Sequence, residues 1–276
     1  MIKVARGVLL AVLPAEVVLV ILTVAGVRLP GPVLVAVEVA VALMLLLEAV
    51  TLHRLFRAAR REGAGRRAAF GTALRRLVPV QVRRLLGFEL RSMASLGLWV
   101  TRRRHGVPRG ATAVPYAREQ SSMLLVLLFL AVVETVAVEL LLGALGVPSG
   151  VRLVVLVLDV YGVVLVLALW AACATRPHVV TERELRVRYG AHFDLRVPRD
   201  LISSVRLARA FDERGTVTVA DGRLGVAVSS QTNVVVELSD PVTVVRPLGR
   251  TEEARMIRLF ADSPALVLDA LRSPTA

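Results

Sequence analysis

The chain has 276 residues, 55% of them apolar, with a mean hydropathy of +0.66 and a formal charge of +13. The apolar share excludes a disordered chain, and runs such as Val8–Val27 and Leu153–Ala172 exclude an ordinary secreted enzyme. All but one of the 35 basic residues are arginine, and the one cysteine, Cys173, allows neither an internal disulfide nor a multi-cysteine metal site.

Charge and hydropathy occupy different stretches. Between His53 and Gln120 sixteen arginines face three glutamates, a surplus equal to the charge of the whole chain. From Ala174 onward fifteen arginines face thirteen carboxylates. The remaining acids, Glu16, Glu38, Glu48, Glu134, Glu139 and Asp159, all lie inside apolar runs.

Four runs reach the about 20 apolar residues a helix needs to cross a hydrocarbon core: 8–27, 33–52, 123–145 and 151–173. The first starts with Lys3 and Arg6, as a signal peptide does. Its apolar stretch exceeds the usual ~7–15 residues, and no small-x-small cleavage site precedes a polar start, so it reads as a retained helix. The short turns Arg28–Pro32 and Gly146–Gly150 join the runs in pairs. Arg54, Arg57, Arg60 and Arg61 follow the second run and Arg118 precedes the third, whereas the turns carry only Arg28 and Arg152. The excess of bases on cytoplasmic loops therefore puts segment 53–120 and both termini inside, in a multi-pass protein of the cytoplasmic membrane with a membrane domain at 1–173.

Segment 53–120 reads as largely helical. Ala69, Phe70, Ala73, Leu74 and Leu77 share a helical face, Pro79 interrupts, and Val82, Leu85, Leu86, Leu90, Met93, Leu96 and Val100 continue the spacing. Arg83, Arg84, Glu89 and Arg91 make the second stretch an amphipathic helix at headgroup level, with Trp99 as interfacial anchor. Arg54, Arg57, Arg60, Arg61, Arg83, Arg84, Arg102, Arg103 and Arg104 are the candidates for contact with anionic lipid headgroups. General attraction explains them, and a specific lipid pocket is the sharper alternative, because guanidinium groups bind phosphate bidentately. Nucleic acid is not expected as a partner: Arg102–Arg104 is a short run and no aromatic residues interleave with it.

Intramembrane carboxylates normally face a bundle interior, find partners or stay protonated. Glu16, Glu134 and Asp159 fall near mid-depth on three helices and could form a proton or cation path, while Glu38 and Glu139 lie nearer the outer side. Glu134 and Glu139 point about 140° apart, so these acids cannot all line one pore. Helix-joining hydrogen bonds are the competing reading, and no basic or histidine partner accompanies the acids in the sequence. His53, His105, His178 and His192 form no two-ligand helical motif, and no phosphate loop, nucleophile elbow or zincin signature occurs, so neither a metal, a cofactor nor catalysis is expected.

After Thr175 the period becomes alternating. Leu185–Tyr189 and Phe193–Val197 read as a hairpin around Gly190, and further strands follow at 217–220, 224–228, 234–238 and 242–245. Segment 255–260 reads either as a strand or as a helical turn, and Ser263-Pro264 opens a helix over 265–271. These elements make a small all-β barrel or sandwich at 177–276, closed by one helix.

The stretches "RPHVVTERELRVRYG", "FDLRVPRDLISSV", "NVVVELSDPVTVV" and "LFADSPALVLDAL" resemble the bacterial pleckstrin-homology-like domain at the C-terminus of actinobacterial four-span membrane proteins. Glu89, Val114-Pro-Tyr116 and Glu134 in the preceding part are also similar to those proteins. The resemblance implies a seven-stranded barrel capped by a C-terminal helix, and no catalytic residues. In eukaryotic relatives of that fold an early basic hairpin binds inositol phosphates, which singles out Arg183, Arg186 and Arg188, although alternation alone would make them solvated strand-face residues.

The expectation is therefore a helical membrane bundle carrying a cytoplasmic pleckstrin-homology-like module, acting as a scaffold, sensor or assembly protein that binds protein or lipid. The alternative is a proton- or cation-coupled transporter using Glu16, Glu134 and Asp159.

Overall fold

The computed structural model describes residues 31–63 and 65–272. The first expected span, 8–27, and Glu16 lie outside the described residues. Six helices and two β-sheets make up the described chain, which divides into two units, Met1–Arg83 with Glu134–Val160, and Arg84–Val133 with Tyr161–Ala276.

In the first unit α1 (Gly31–Arg61) turns at Gly63, where φ is +86°, into α2 (Arg66–Leu77). The two helices pack together, and Ala59, Ala69 and Ala73 are buried, small side chains that let backbones approach closely. Val35, Val39, Leu43, Leu46 and Val50 of α1 are exposed.

Pro79 separates α2 from α3 (Val80–Val100), because proline lacks the amide that would continue the helix. After β1 (Thr112–Val114) come the two most apolar helices, α4 (Arg118–Ala144) and α5 (Ser149–Thr175). Each has 27 residues, about 40 Å of helix against a hydrocarbon core of about 30 Å, so both are long and apolar enough to cross a membrane. They expose large apolar side chains along much of their length, Met123, Phe129, Leu140, Leu153 and Val157 among them, more than a water-facing surface carries. The described residues yield two such helices, not four.

The sheet-rich part belongs to the second unit. One sheet has the antiparallel order β1-β2-β3-β4, with β2 at His178–Val180, β3 at Glu184–Tyr189 and β4 at Phe193–Pro198. The β3–β4 register sets Leu185 against Val197, Val187 against Leu195 and Tyr189 against Phe193, and β4 alternates buried and exposed positions along its length. The other sheet has the order β5-β8-β9-β7-β6, from β5 (Ile202–Ala210), β6 (Val217–Ala220), β7 (Arg223–Val226), β8 (Thr232–Val245) and β9 (Thr251–Leu259). All its pairs are antiparallel except β7 with β9. Segment 255–260, ambiguous from its residues alone, lies mostly in β9. Helix α6 (Pro264–Arg272) packs on both sheets and buries Val267.

Apolar residues of both sheets meet in one core that includes Val114, Tyr116, Leu185, Val187, Val197, Leu224, Val236 and Ile257. β1 is the unexpected member. Thr112, Ala113 and Val114 pair with Val180, Val179 and His178, so the sheet begins before α4 rather than after α5. A three-residue strand between Pro108 and Pro115 shows no alternation to read, and its partner is supplied only by the fold.

Val114 is fully buried. Replacing it with alanine is expected to cost the full chain about 2 kcal/mol, whereas Val245→Ala, on the half-exposed end of β8, should stay within about 0.5 kcal/mol. Thermal unfolding of both variants in detergent micelles measures the difference.

Candidate functional site

Polar and aromatic side chains from four stretches of the chain meet where α5 passes into β2. His178 is buried, its Nε2 3.0 Å from the Phe260 carbonyl and its Nδ1 accepting the Arg188 amide at 3.0 Å. Those partners require the neutral ring protonated on Nε2. Burial above all lowers the His178 pKa from 6.5 to about 4, with the Phe260 carbonyl opposing the shift and the Arg188 charge adding to it.

Tyr116, two residues after β1, lies against the His178 and Tyr189 rings with centroids 4.7 and 5.9 Å away. Its hydroxyl accepts the Gly190 amide at 2.7 Å, and burial pushes the phenol well above its usual 10. Asp262 reaches back to the first turn of α4, where both its oxygens accept the Arg118 amide at 3.2 Å, an N-terminal cap from 144 residues away.

Arginines surround this core. Arg188 is 2% exposed and donates to the His105 and Gly106 carbonyls at 2.8 and 3.0 Å. Arg176 donates through Nε to Ser95 of α3 and through Nη1 to the His105 ring, at 3.3 and 3.2 Å. Arg186 donates to Asp194 at 2.7 Å. Burial first, and then the Arg91 charge, lowers the pKa of Arg176; burial and then Arg186 do the same to Arg188. His105 is lowered by burial and then by Arg176.

Beside this cluster the segment after α3 crosses the C-terminal end of α5, where the His105 amide donates to the Thr175 carbonyl at 2.8 Å. Trp99 and Trp170 lie 6.0 Å apart between ring centroids. Beside Trp99 is a concavity of about 380 Å³ lined by Trp99, Val100, Arg102, Arg103, Arg104, Ala174 and Thr175. The three arginines are exposed, and none has a side-chain hydrogen bond or ion pair among the described residues.

The other arginines expected to touch lipid are placed differently. Arg54, Arg57, Arg60 and Arg61 are exposed at the end of α1, and Arg83 is exposed on α3. Arg84 departs from that expectation: its guanidinium donates to the Arg246 and Pro247 carbonyls, in the loop between β8 and β9. The basic hairpin departs as well. Arg183 is exposed, but Arg188 is buried under the His105–Gly106 loop that follows α3, and Arg186 is paired with Asp194 of the neighbouring strand.

Among the acids, Glu139 does have a basic partner, Arg152 of α5, which the 13-residue separation across the α4–α5 turn made illegible. The pair aligns the two helices. Residue 157 then faces the level of Glu134, so Asp159 is about 3 Å from that level. Asp159 follows Arg152 by seven residues and shares its face of α5, whereas Glu134 points about 140° away from Glu139. In agreement, Asp159 is half-buried and Glu134 exposed, and no hydrogen bond or ion pair joins them. Glu38 lies on α1. No cluster of three or more His, Cys, Asp or Glu that could hold a metal occurs among the described residues.

Compared with known protein families, curated proteins and solved structures, the chain finds no match.

The residues that organise this junction, Tyr116, His178, Arg188 and Asp262, have no spacing that links them in sequence. His178 provides its test. Above pH 6.5 the ring is neutral whether the chain is folded or not; below it the unfolded chain takes up a proton that the folded chain refuses until about pH 4. Stability is therefore expected to fall across that window by on the order of 3 kcal/mol from this group. Thermal unfolding of the full chain against pH should show the fall, and His178→Gln should remove that part of it.

Proposed function

We propose that this chain is an integral scaffold, sensor or assembly protein of the cytoplasmic membrane, holding a pleckstrin-homology-like module at the inner face to bind protein or lipid, and not a catalyst. In this reading it crosses the membrane four times with both termini inside, and it resembles the four-span proteins whose C-terminal strand pattern it shares.

One observation carries the reading: β1 and β2 flank the α4–α5 helix pair in sequence and are hydrogen-bonded neighbours in the sheet. Two helices that each cross once must return the chain to the side it left, and the β1–β2 pairing fits that return. Asp262 capping α4 and Arg84 donating into the β8–β9 loop tie helices to the sheet-rich part, while Ser95 with Arg176 and the Trp99–Trp170 contact tie α3 to the end of α5. A module attached at so many points would sit fixed at the membrane surface instead of hanging from a linker, which suits a docking platform. The exposed apolar face of α1 supports a further span, and the exposed arginines at its end support an inside location for segment 53–120.

The transporter reading receives less support, since Glu139 is paired and Glu134 and Asp159 do not meet. Cross-linking in native membranes with mass spectrometry, combined with protease access from either side, separates the two readings. A recurrent protein partner linked through 177–272, and cleavage of the sheet unit from the cytoplasmic side alone, are expected. A chain without recurrent partners, together with a proton or cation flux in liposomes lost in Glu134→Gln, would favour transport.

A further inference from the structure

We propose that the concavity at the C-terminal ends of α3 and α5 binds one anionic glycerophospholipid, its phosphate held by Arg102, Arg103 and Arg104 and its acyl chain lying against Trp99 and Val100. The inference deepens the reading above and rests on α5 crossing the membrane.

The backbone at Arg102 is the first reason. Helix α3 ends with the Arg102 amide donating to the Trp99 carbonyl at 3.0 Å and the Arg103 amide to the Leu98 carbonyl at 2.8 Å. Helix α4 ends in the same way, Gly146 donating to Gly143 at 3.1 Å and Val147 to Leu142 at 3.0 Å. This motif puts the residue after the helix in the left-handed region, where Cβ clashes and glycine is favoured. Gly146 stands there with φ +67°, and Gly63 after α1 has φ +86°, but the α3 motif holds Arg102 at φ +54°. A residue kept in a strained conformation where glycine would be easier points to a use for its side chain.

Charge is the second reason. Three consecutive exposed guanidinium groups have no side-chain acceptor among the described residues, and the paired Arg186–Asp194 and buried Arg188 lie beyond them toward the sheet. Guanidinium forks match phosphate oxygens in pairs, so the chemistry of the gap is that of a phosphate ester.

The third reason separates a lipid from a soluble phosphate. The concavity is walled by Trp99 and Val100 as well as by arginine, and Val100 is 76% exposed. Trp99 contacts Trp170, five residues or about 7 Å before the end of α5, which is the level where tryptophans gather at a membrane surface. A phosphate carrying an acyl chain uses both walls; inorganic phosphate would use one.

The test employs the full chain in detergent micelles offered phosphatidylglycerol and phosphatidylcholine in equal amounts, with retained lipid counted by native mass spectrometry. Wild type is expected to retain phosphatidylglycerol over phosphatidylcholine by about tenfold, and R102Q/R103Q/R104Q to lose that preference. R102G removes one fork and relieves the backbone, so it should lower retention without lowering the unfolding temperature. Undiminished retention in the triple variant, equal loss in R54Q/R57Q/R60Q/R61Q, or displacement of the lipid by excess inorganic phosphate would each overturn the site. Alkaline carbonate extraction keeps the two readings apart. A chain released from membranes defeats the membrane reading itself, whereas a chain that stays and shows no lipid preference defeats only the lipid site.

Discussion

Three residue pairs between Thr112–Val114 and His178–Val180 bring together stretches of chain that more than sixty residues separate. The intervening residues form two helices of about 40 Å each, so nothing local holds the two strands near one another. The ladder is too short to be stable alone, and its neighbours supply the rest. Val114 and Tyr116 bury themselves in the core of the sheets, Asp262 caps the helix that follows, and the Asp262 amide donates to the Pro115 carbonyl at 2.8 Å. Each of these contacts depends on the register of the pairing, since a one-residue slip would turn Val114 out of the core.

The arginine surplus divides into two populations with different physical roles. Arg84, Arg176 and Arg188 donate mostly to carbonyls, a hydroxyl and an imidazole, and thereby satisfy polar groups that packing helices against sheets would otherwise leave bare. Arg102, Arg103 and Arg104 satisfy no side-chain acceptor and stand beside exposed apolar surface. A pI of about 11.4 therefore mixes structural donors with charge that faces outward. Exposed arginines, not the buried or carbonyl-bound ones, are available to an anionic partner, and the proposed lipid contact falls on the loop after α3, where three of them line a concavity, and not on the basic hairpin of β3, where Arg186 is paired and Arg188 buried.

In the helix pair, the acids likewise separate once positions in space are known. Glu139 and Arg152 neutralise each other near the α4–α5 turn. Asp159 shares the face that Arg152 uses, and Glu134 turns away. Similar depth is therefore not contact: two groups at one level still need the same interhelical face to pass a proton.

Periodicity was enough to outline what is local in this protein. Alternation located the β3–β4 hairpin to within a residue or two, because one face of each strand is buried and the pattern has period two. Long apolar runs located α4 and α5, and Ser263-Pro264 marked the start of α6. The tertiary structure alone decided that β1 belongs to the first sheet, that Arg188 is buried, that Glu139 has a partner and that Arg102 sits in the left-handed region. The physical reason is common to all four. A strand of three residues, a buried charge, an ion pair across a turn and a strained dihedral angle each depend on a group that chain spacing does not specify, and only the packed chain supplies it.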